Sequence, residues 1–426
     1  MLLKKRILPL ALSVIMAVSA LTGCGSSSEK DSSSGAKTTL TMWTIATESD
    51  SFHKPYLQAI EEFEKNHPGV KINMETFENE SYKTKIKAAV AANELPDIFF
   101  TWAGGFSESF VSSGKVMCLD DYYKNYEKEI SKTALANDIY DGKLYGSVTC
   151  TPVSVMWYNK EMFKKQGVEV PATWDDFKAV CKKFIDAGIK PIGTSVKDTW
   201  VLAMLHDGLA LKSAGADKVT KALTKQGQSY NDPDFVKAAN CIKELVDMGA
   251  FIDGATGLSN DEAVASFTNG TVPMFVTGAW MDSSITNDAE NPDDFGFMPF
   301  PVCSDNAALT DSMGGSADIL MVNPSTEDPD LAGTAAFDIA KLVSKYGYMS
   351  GAGIAAWKVD YDVENQSSVS KTMSDCINNS TSLTIWSGSL MEAEDYTEYQ
   401  SLLQQFFIGD LTASDFVEAM DAQLNQ

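Results

Sequence analysis

A chain of 426 residues, 44% apolar and 22% charged, has an ordinary globular composition and is long enough for two domains. Its formal charge of −24 argues against binding nucleic acid and against charge-driven adhesion to anionic lipid. The seven cysteines (24, 118, 150, 181, 241, 303, 376) and three histidines (53, 67, 206) form neither a CxxC nor an HExxH, so neither a metal nor another cofactor is expected.

The chain opens on a basic head, Lys4, Lys5 and Arg6, followed by an apolar run from Ile7 to Leu21. That run is too short for a membrane span of roughly 20 residues. Basic head, apolar run and small residues in this order read as an export signal over 1–23. The stretch Leu21-Thr22-Gly23-Cys24 resembles a bacterial lipoprotein processing box. The resemblance implies that Cys24 is lipidated, becomes the mature N-terminus and anchors the protein at the outer face of the cytoplasmic membrane, on the cell surface or in a periplasm. Residues 24–37 continue as a Ser/Gly-rich leash, which cannot bury a core and spans about 20 Å. Without the three signal charges the net charge is about −27.

From Thr38 the pattern alternates. TLTMWTI (39–45) is a β-branched and apolar strand. Phe52, Tyr56, Ile60 and Phe63 recur at helical spacing, and HPG at 67–69 ends that helix. VKINMETF (70–77) alternates as a strand, Tyr82, Ile86 and Val90 stripe a second helix, and DIFFTW (97–102) is a buried strand. This βαβαβ order predicts a parallel sheet with right-handed crossovers.

A second block begins near residue 150. VSVMWYN (153–159) is a strand, Thr173 caps a helix striped by Phe177, Cys181 and Phe184, and Gly188 closes it. KPIGTSV (190–196), TVPMFVTGAW (271–280) and FGFMPFPV (295–302) return to strand patterns. Helical segments fall at 235–246, 331–346 and 396–407. Cys181 and Cys241 lie on apolar stripes and read as buried free thiols. The expected fold is α/β and two-lobed, each lobe a mostly parallel sheet flanked by helices. Ligands of such sheets sit at the carboxyl ends of the strands, here in a cleft between the lobes.

Four of the eight tryptophans follow predicted strand ends: Trp43, Trp102, Trp200 and Trp280. An indole covers the C–H face of a pyranose at little entropic cost, and carboxylates accept from its hydroxyls. Glu48, Asp198 and Asp282 stand near three of these tryptophans, and Trp357, favoured over Trp386, follows a Gly/Ala-rich segment. Trp157 and Trp174 read as structural. The constellation points to a sugar ligand.

The stretches LTMWTI, FEKNHPGVKINMETF, LPDIFFTWAGG, WYNKEMFKKQGVEVPATWDDF, GTVPMFVTGAW and FGFMPFPV resemble, in order, the carbohydrate-binding group of extracellular solute-binding proteins of ABC importers. The resemblance implies a lobe of 38–152 plus 276–325, a lobe of 153–275 plus 326–426, and chain crossings near Thr151, Val276–Gly278 and Asn323. It places Trp43, Trp102, Trp200 and Trp280 against the sugar and brings Gly314 and Gly315 close to it. The protein's partners would then be a carbohydrate, the subunits of an ABC permease and the membrane beneath its lipid anchor; a monomer is expected, and enzymatic activity is not implied. The several aromatics suggest an oligosaccharide, one stacked ring to each sugar, while a monosaccharide in a thick aromatic clamp also fits. Two other readings compete: a lipid-anchored carbohydrate-active enzyme and a ligand-sensing lipoprotein on the same fold. The first needs an acid and a base flanking a scissile bond. The adjacent pairs Asp120-Asp121, Asp175-Asp176 and Asp293-Asp294 point in different directions and read as turns or helix caps, and no G-x-S-x-G occurs.

Overall fold

Strand Thr38–Thr44 alternates buried Leu40, Met42 and Thr44 with less covered neighbours, the period of a pleated strand. In the computed structural model, which describes residues 38–130, 134–363 and 368–425, it pairs in parallel with Val70–Thr76 and with Ile98–Trp102. The expected export signal, Cys24 and leash lie outside the described residues. The helices His53–Asn66 and Asn79–Ala92 supply the crossovers that parallel strands require. The first buries Tyr56, Ile60 and Phe63, and the second buries Tyr82, Ile86 and Val90. Glu78 starts the second helix by accepting from the amides of Glu80 and Ser81. Asp318–Val322, antiparallel to Ile98–Trp102, and Ser147–Cys150, antiparallel to it in turn and so aligned with the first three strands, complete a five-stranded sheet.

A six-stranded sheet is built on Val153–Asn159. Met274–Gly278, Phe295–Met298 and Asp311–Gly314 flank that strand antiparallel, while Ile192–Gly193 and Ser382–Thr384 add parallel edges. Helix Trp174–Asp186 begins on Thr173, whose hydroxyl oxygen accepts from the Asp176 amide at 3.2 Å. Helix Pro233–Asp247 begins on Asp232 with proline in its first turn, where a missing N–H costs nothing.

The sheets are mixed, although most of their strands run parallel, as expected. One strand in each departs in direction from the rest, Asp318–Val322 in the first and Val153–Asn159 in the second. A strand that re-enters a lobe from a crossing starts where the parallel strands end, so it runs against them: Asp318 sits beside Trp102. Sheet membership also departs from the expected lobe boundaries. Met274–Gly278, Phe295–Met298 and Asp311–Gly314 are hydrogen-bonded into the second sheet, not the first. Helix Pro329–Met349 buries Ala336, Phe337 and Val343 in the core of the first sheet, not the second. The chain passes between sheets at Cys150 to Val153, returns at Gly314 to Asp318, and passes back after Met349 to the second sheet, which it rejoins at Ser382–Thr384.

Each sheet has its own apolar core. The first gathers Leu40, Phe63, Phe99, Phe337 and Trp357. The second is packed on both faces, with Phe177, Phe235 and Tyr399 on one and Trp157, Phe267 and Phe275 on the other. No helix among the described residues is long and apolar enough to cross a membrane.

Candidate functional site

A cavity of about 930 Å³ lies between the two sheets and is lined from both. The first sheet reaches it through its strand ends: the loop after Thr44 (Ile45 to Ser51), Glu78 to Glu80 after the second strand, and Trp102 at the end of the third. The second sheet contributes Lys197, Asp198 and Trp200 after Ile192–Gly193, and Trp280, Met281 and Ser284 after Met274–Gly278. Carboxyl ends of strands thus face the cavity from both sides.

The indoles are held by packing. Trp102 is wedged edge-on between Phe100 and Phe106, with centroids 5.2 and 5.0 Å away, and Lys83 Nζ stands 5.4 Å above its ring. Trp280 precedes helix Met281–Asp288 and lays its ring over Gly278, where an added Cβ would come within 1.9 Å of the indole. Trp200 opens helix Trp200–Ala214, and its ring centroid is 6.3 Å from that of Trp280 at 52°. The carboxylate of Asp198 accepts from the Asn260 amide at 2.5 Å, tying the two loops together.

Sequence reasoning therefore reached Trp102, Asp198, Trp200 and Trp280, all of which line the cavity. The other candidates stand elsewhere. Trp43 packs on Phe77 at 5.5 Å beneath Lys85, against the sheet face covered by helix Asn79–Ala92. Glu48 is exposed beside the lining residues Thr47 and Ser49. Asp282 is buried and accepts from Ser370 Oγ at 2.6 Å, joining two helices behind the cavity wall. Gly314 and Gly315 do permit a close approach, but to the chain's own crossing: a Cβ on Gly314 would meet Pro152 O at 2.7 Å, and the Gly315 amide donates to that oxygen at 3.1 Å. Trp357 belongs to the core of the first sheet. It is 4% exposed, donates to Val148 O at 2.7 Å and meets Tyr126 and Phe337 edge-on.

The sequence reading ranked Trp386 below Trp357 and passed over several other lining residues. Trp386 caps the short helix Ser387–Leu390, which is tied to Asp207: Ser387 N and Oγ donate to Asp207 Oδ2 at 2.9 and 2.7 Å, and Tyr399 donates to Oδ1 at 2.9 Å. Burial pushes the Asp207 carboxyl up to about 6 against these bonds. Burial likewise raises Asp50 to about 6, although its carboxylate accepts from the Phe52 amide at 2.8 Å. Burial raises Asp318, 3.6 Å from Cys150 Sγ, to about 7. Asn79 and Asn260 line the cavity, and each keeps a buried side-chain oxygen with no hydrogen-bond partner among the described residues. Polar acceptors beside indoles suit a ligand with hydroxyl donors and an apolar face. Among the described residues no group of three or more His, Cys, Asp or Glu side chains is placed to hold a metal.

Comparison with known proteins bears on this cavity. Residues 47–344 match the model of the bacterial extracellular solute-binding protein family. A solved structure from work on xylan utilization by the thermophilic bacterium Caldanaerobius polysaccharolyticus superposes with a TM-score of 0.86 and 31% identity, covering 90% of this chain and 99% of that one. An uncharacterized ABC transporter extracellular-binding protein of Pyrococcus horikoshii is 28% identical, over 71% of this chain and 69% of its own. The arabinooligosaccharide-binding protein of Bacillus subtilis is 25% identical, over 72% of this chain and 70% of its own.

Proposed function

Because the chain belongs to the bacterial extracellular solute-binding proteins, we propose that it captures an oligosaccharide between its two lobes and presents it to an ABC permease. One observation carries the reading: a single cavity receives Trp102 from one lobe and Trp200 with Trp280 from the other, interleaved with carboxylates and amides. Indoles match the C–H faces of pyranoses, and carboxylates and amide oxygens match their hydroxyls. The oligosaccharide-binding relative supports the same ligand class.

The lobes of this reading are 38–150 with 318–349, and 153–314 with 382–425. They exchange between open and closed arrangements about the crossings at Thr151–Pro152 and Gly315–Ala317 and a third that follows Met349. The sugar binds the closed arrangement better because only there do both lobes touch it, so binding shifts the population toward closure. The closed shape is the signal a permease reads, and no chemical step is required of the side chains. Cys24, lipidated, tethers the monomer at the outer face of the membrane, and a lipoprotein of Bacillus subtilis, 27% identical over 46% of this chain, supports the anchor.

Calorimetric titration with a panel of neutral oligosaccharides (xylo-, arabino-, chito- and malto-series), with chromatography of the mixture afterwards, tests this. We expect saturable binding of at least one series with the sugar recovered intact. Binding by none, or shortened products, contradicts the proposal.

A further inference from the structure

The charges around the cavity are lopsided. Among its described lining residues, eight side chains are Asp or Glu and two are Lys. Lys83 is already ion-paired with Glu80 at 2.6 Å. Lys197 stands near Glu262, whose carboxyl is held low first by the Ser259 amide and hydroxyl and then by that lysine. Arg6 is the single arginine of the whole chain and precedes the described residues. The cavity wall therefore has no guanidinium, the group that pairs best with carboxylate, sulfate or phosphate because its two N–H groups match two oxygens. An anionic ligand entering here sheds water, finds no fork to replace it and meets like charge. A hydroxyl loses nothing of the kind, because carboxylates accept from it.

Resting on the reading of the cavity as an oligosaccharide site, we infer that it is a charge filter: it takes uncharged glycans and rejects those carrying uronate, sulfate or phosphate groups. The discrimination is set at the rim by exposed carboxylates, including Asp261 and Asp288, as well as within. Like charges brought together at a binding surface cost several kcal/mol, so one carboxylate on the sugar lowers affinity about a hundredfold or more.

The test titrates the protein with each neutral series above and with the matching chain bearing one uronic acid, at low and at high salt. A neutral chain that binds, with its uronate counterpart at least a hundredfold weaker and recovering in high salt, supports the filter. A uronate chain bound within tenfold of the neutral one overturns it while leaving the oligosaccharide reading intact. Binding of neither class overturns both. The double variant Asp261→Asn/Asp288→Asn separates charge from shape: the gap should narrow at least fivefold, and a gap unchanged in this variant contradicts the electrostatic account.

Discussion

Tryptophan serves two purposes in this chain, and the neighbours of each ring tell them apart. Trp280 rests on the bare backbone of Gly278 and faces the cavity, whereas Trp357 is enclosed by Tyr126, Phe337 and the Val148 carbonyl. Trp280→Ala is expected to weaken sugar binding about thirtyfold or more, the scale of an interface anchor worth about 2 kcal/mol, with little change in melting temperature. Trp357→Ala should do the opposite, costing about 3–5 kcal/mol of stability through the cavity it leaves. Calorimetry and thermal unfolding of the two variants measure both. Gly278→Ala is a subtler probe: its methyl would occupy the space of the Trp280 ring, so affinity falls while the ring itself is retained. At this scale the strand-end rule located Trp102, Trp200 and Trp280 in the sequence. It failed at Trp43, as the Gly/Ala-rich context did at Trp357, because a ring that fills a core and a ring that waits for a ligand occupy similar local sequence. Trp386 is on the wall because Asp207, 179 positions earlier, anchors the residue after it, a contact with no local signal.

Among elements, the most consequential contact joins the two lobes away from the crossings. The short helix Ser387–Leu390 and Met391 lie directly on Gly104 and Gly105: added Cβ atoms there would stand 2.1 Å from Ser389 O and 2.0 Å from Met391 O. Gly104 also has φ of +76°, a conformation L side chains rarely adopt. If this contact belongs to the closed arrangement, Gly105→Ala holds the lobes apart at that edge. We expect roughly tenfold weaker binding, on the scale of about 1–3 kcal/mol for overpacking, and a larger radius of gyration by small-angle scattering at saturating sugar. An unchanged radius and affinity would contradict it. Most elements were legible from periodicity and caps, as in Thr38–Thr44, Asn79–Ala92 and the Thr173 cap. Helix Trp200–Ala214 was not, because every residue from Val201 to Ala214 is buried and no polar stripe marks a face. Met274–Gly278 was read as a strand, but which sheet it joins depends on partners over a hundred residues away.

For the molecule as a whole, buried acids set the response to pH. Asp50, Asp207 and Asp318 are raised by burial to about 6, 6 and 7 from the usual carboxylate value of 3.8. The folded state therefore holds their protons more tightly than the unfolded chain does. Their contribution to stability is complete below about pH 4 and is lost as pH rises through 6 to 7. Asp97 runs the other way: partial burial raises its carboxyl, but bonds from Thr326 and Thr41 outweigh this and hold it low, so its contribution is lost only in stronger acid. His206, lowered by burial from 6.5 to about 4, opposes them below about pH 6.5, where the unfolded chain takes up its proton first. Melting temperature should therefore rise as pH falls from about 8 to about 6.5 and turn down below about 4; a monotonic fall from pH 8 would refute this assignment. At this scale the α/β character and the two-lobed plan were legible, since two runs of alternating strand and helix cannot share one small core. The return of Asp318–Val322 and Pro329–Met349 to the first lobe was not legible, because no feature of composition labels the sheet that a strand will join.

The most direct test of the account is a crystal structure of the protein with the neutral oligosaccharide it binds most tightly. The account requires sugar rings in the cavity between the lobes, stacked on Trp102 from one side and on Trp200 or Trp280 from the other, with hydroxyls on the surrounding carboxylates and amides. Sugar bound elsewhere, or bound in the cavity without touching these indoles, would contradict it.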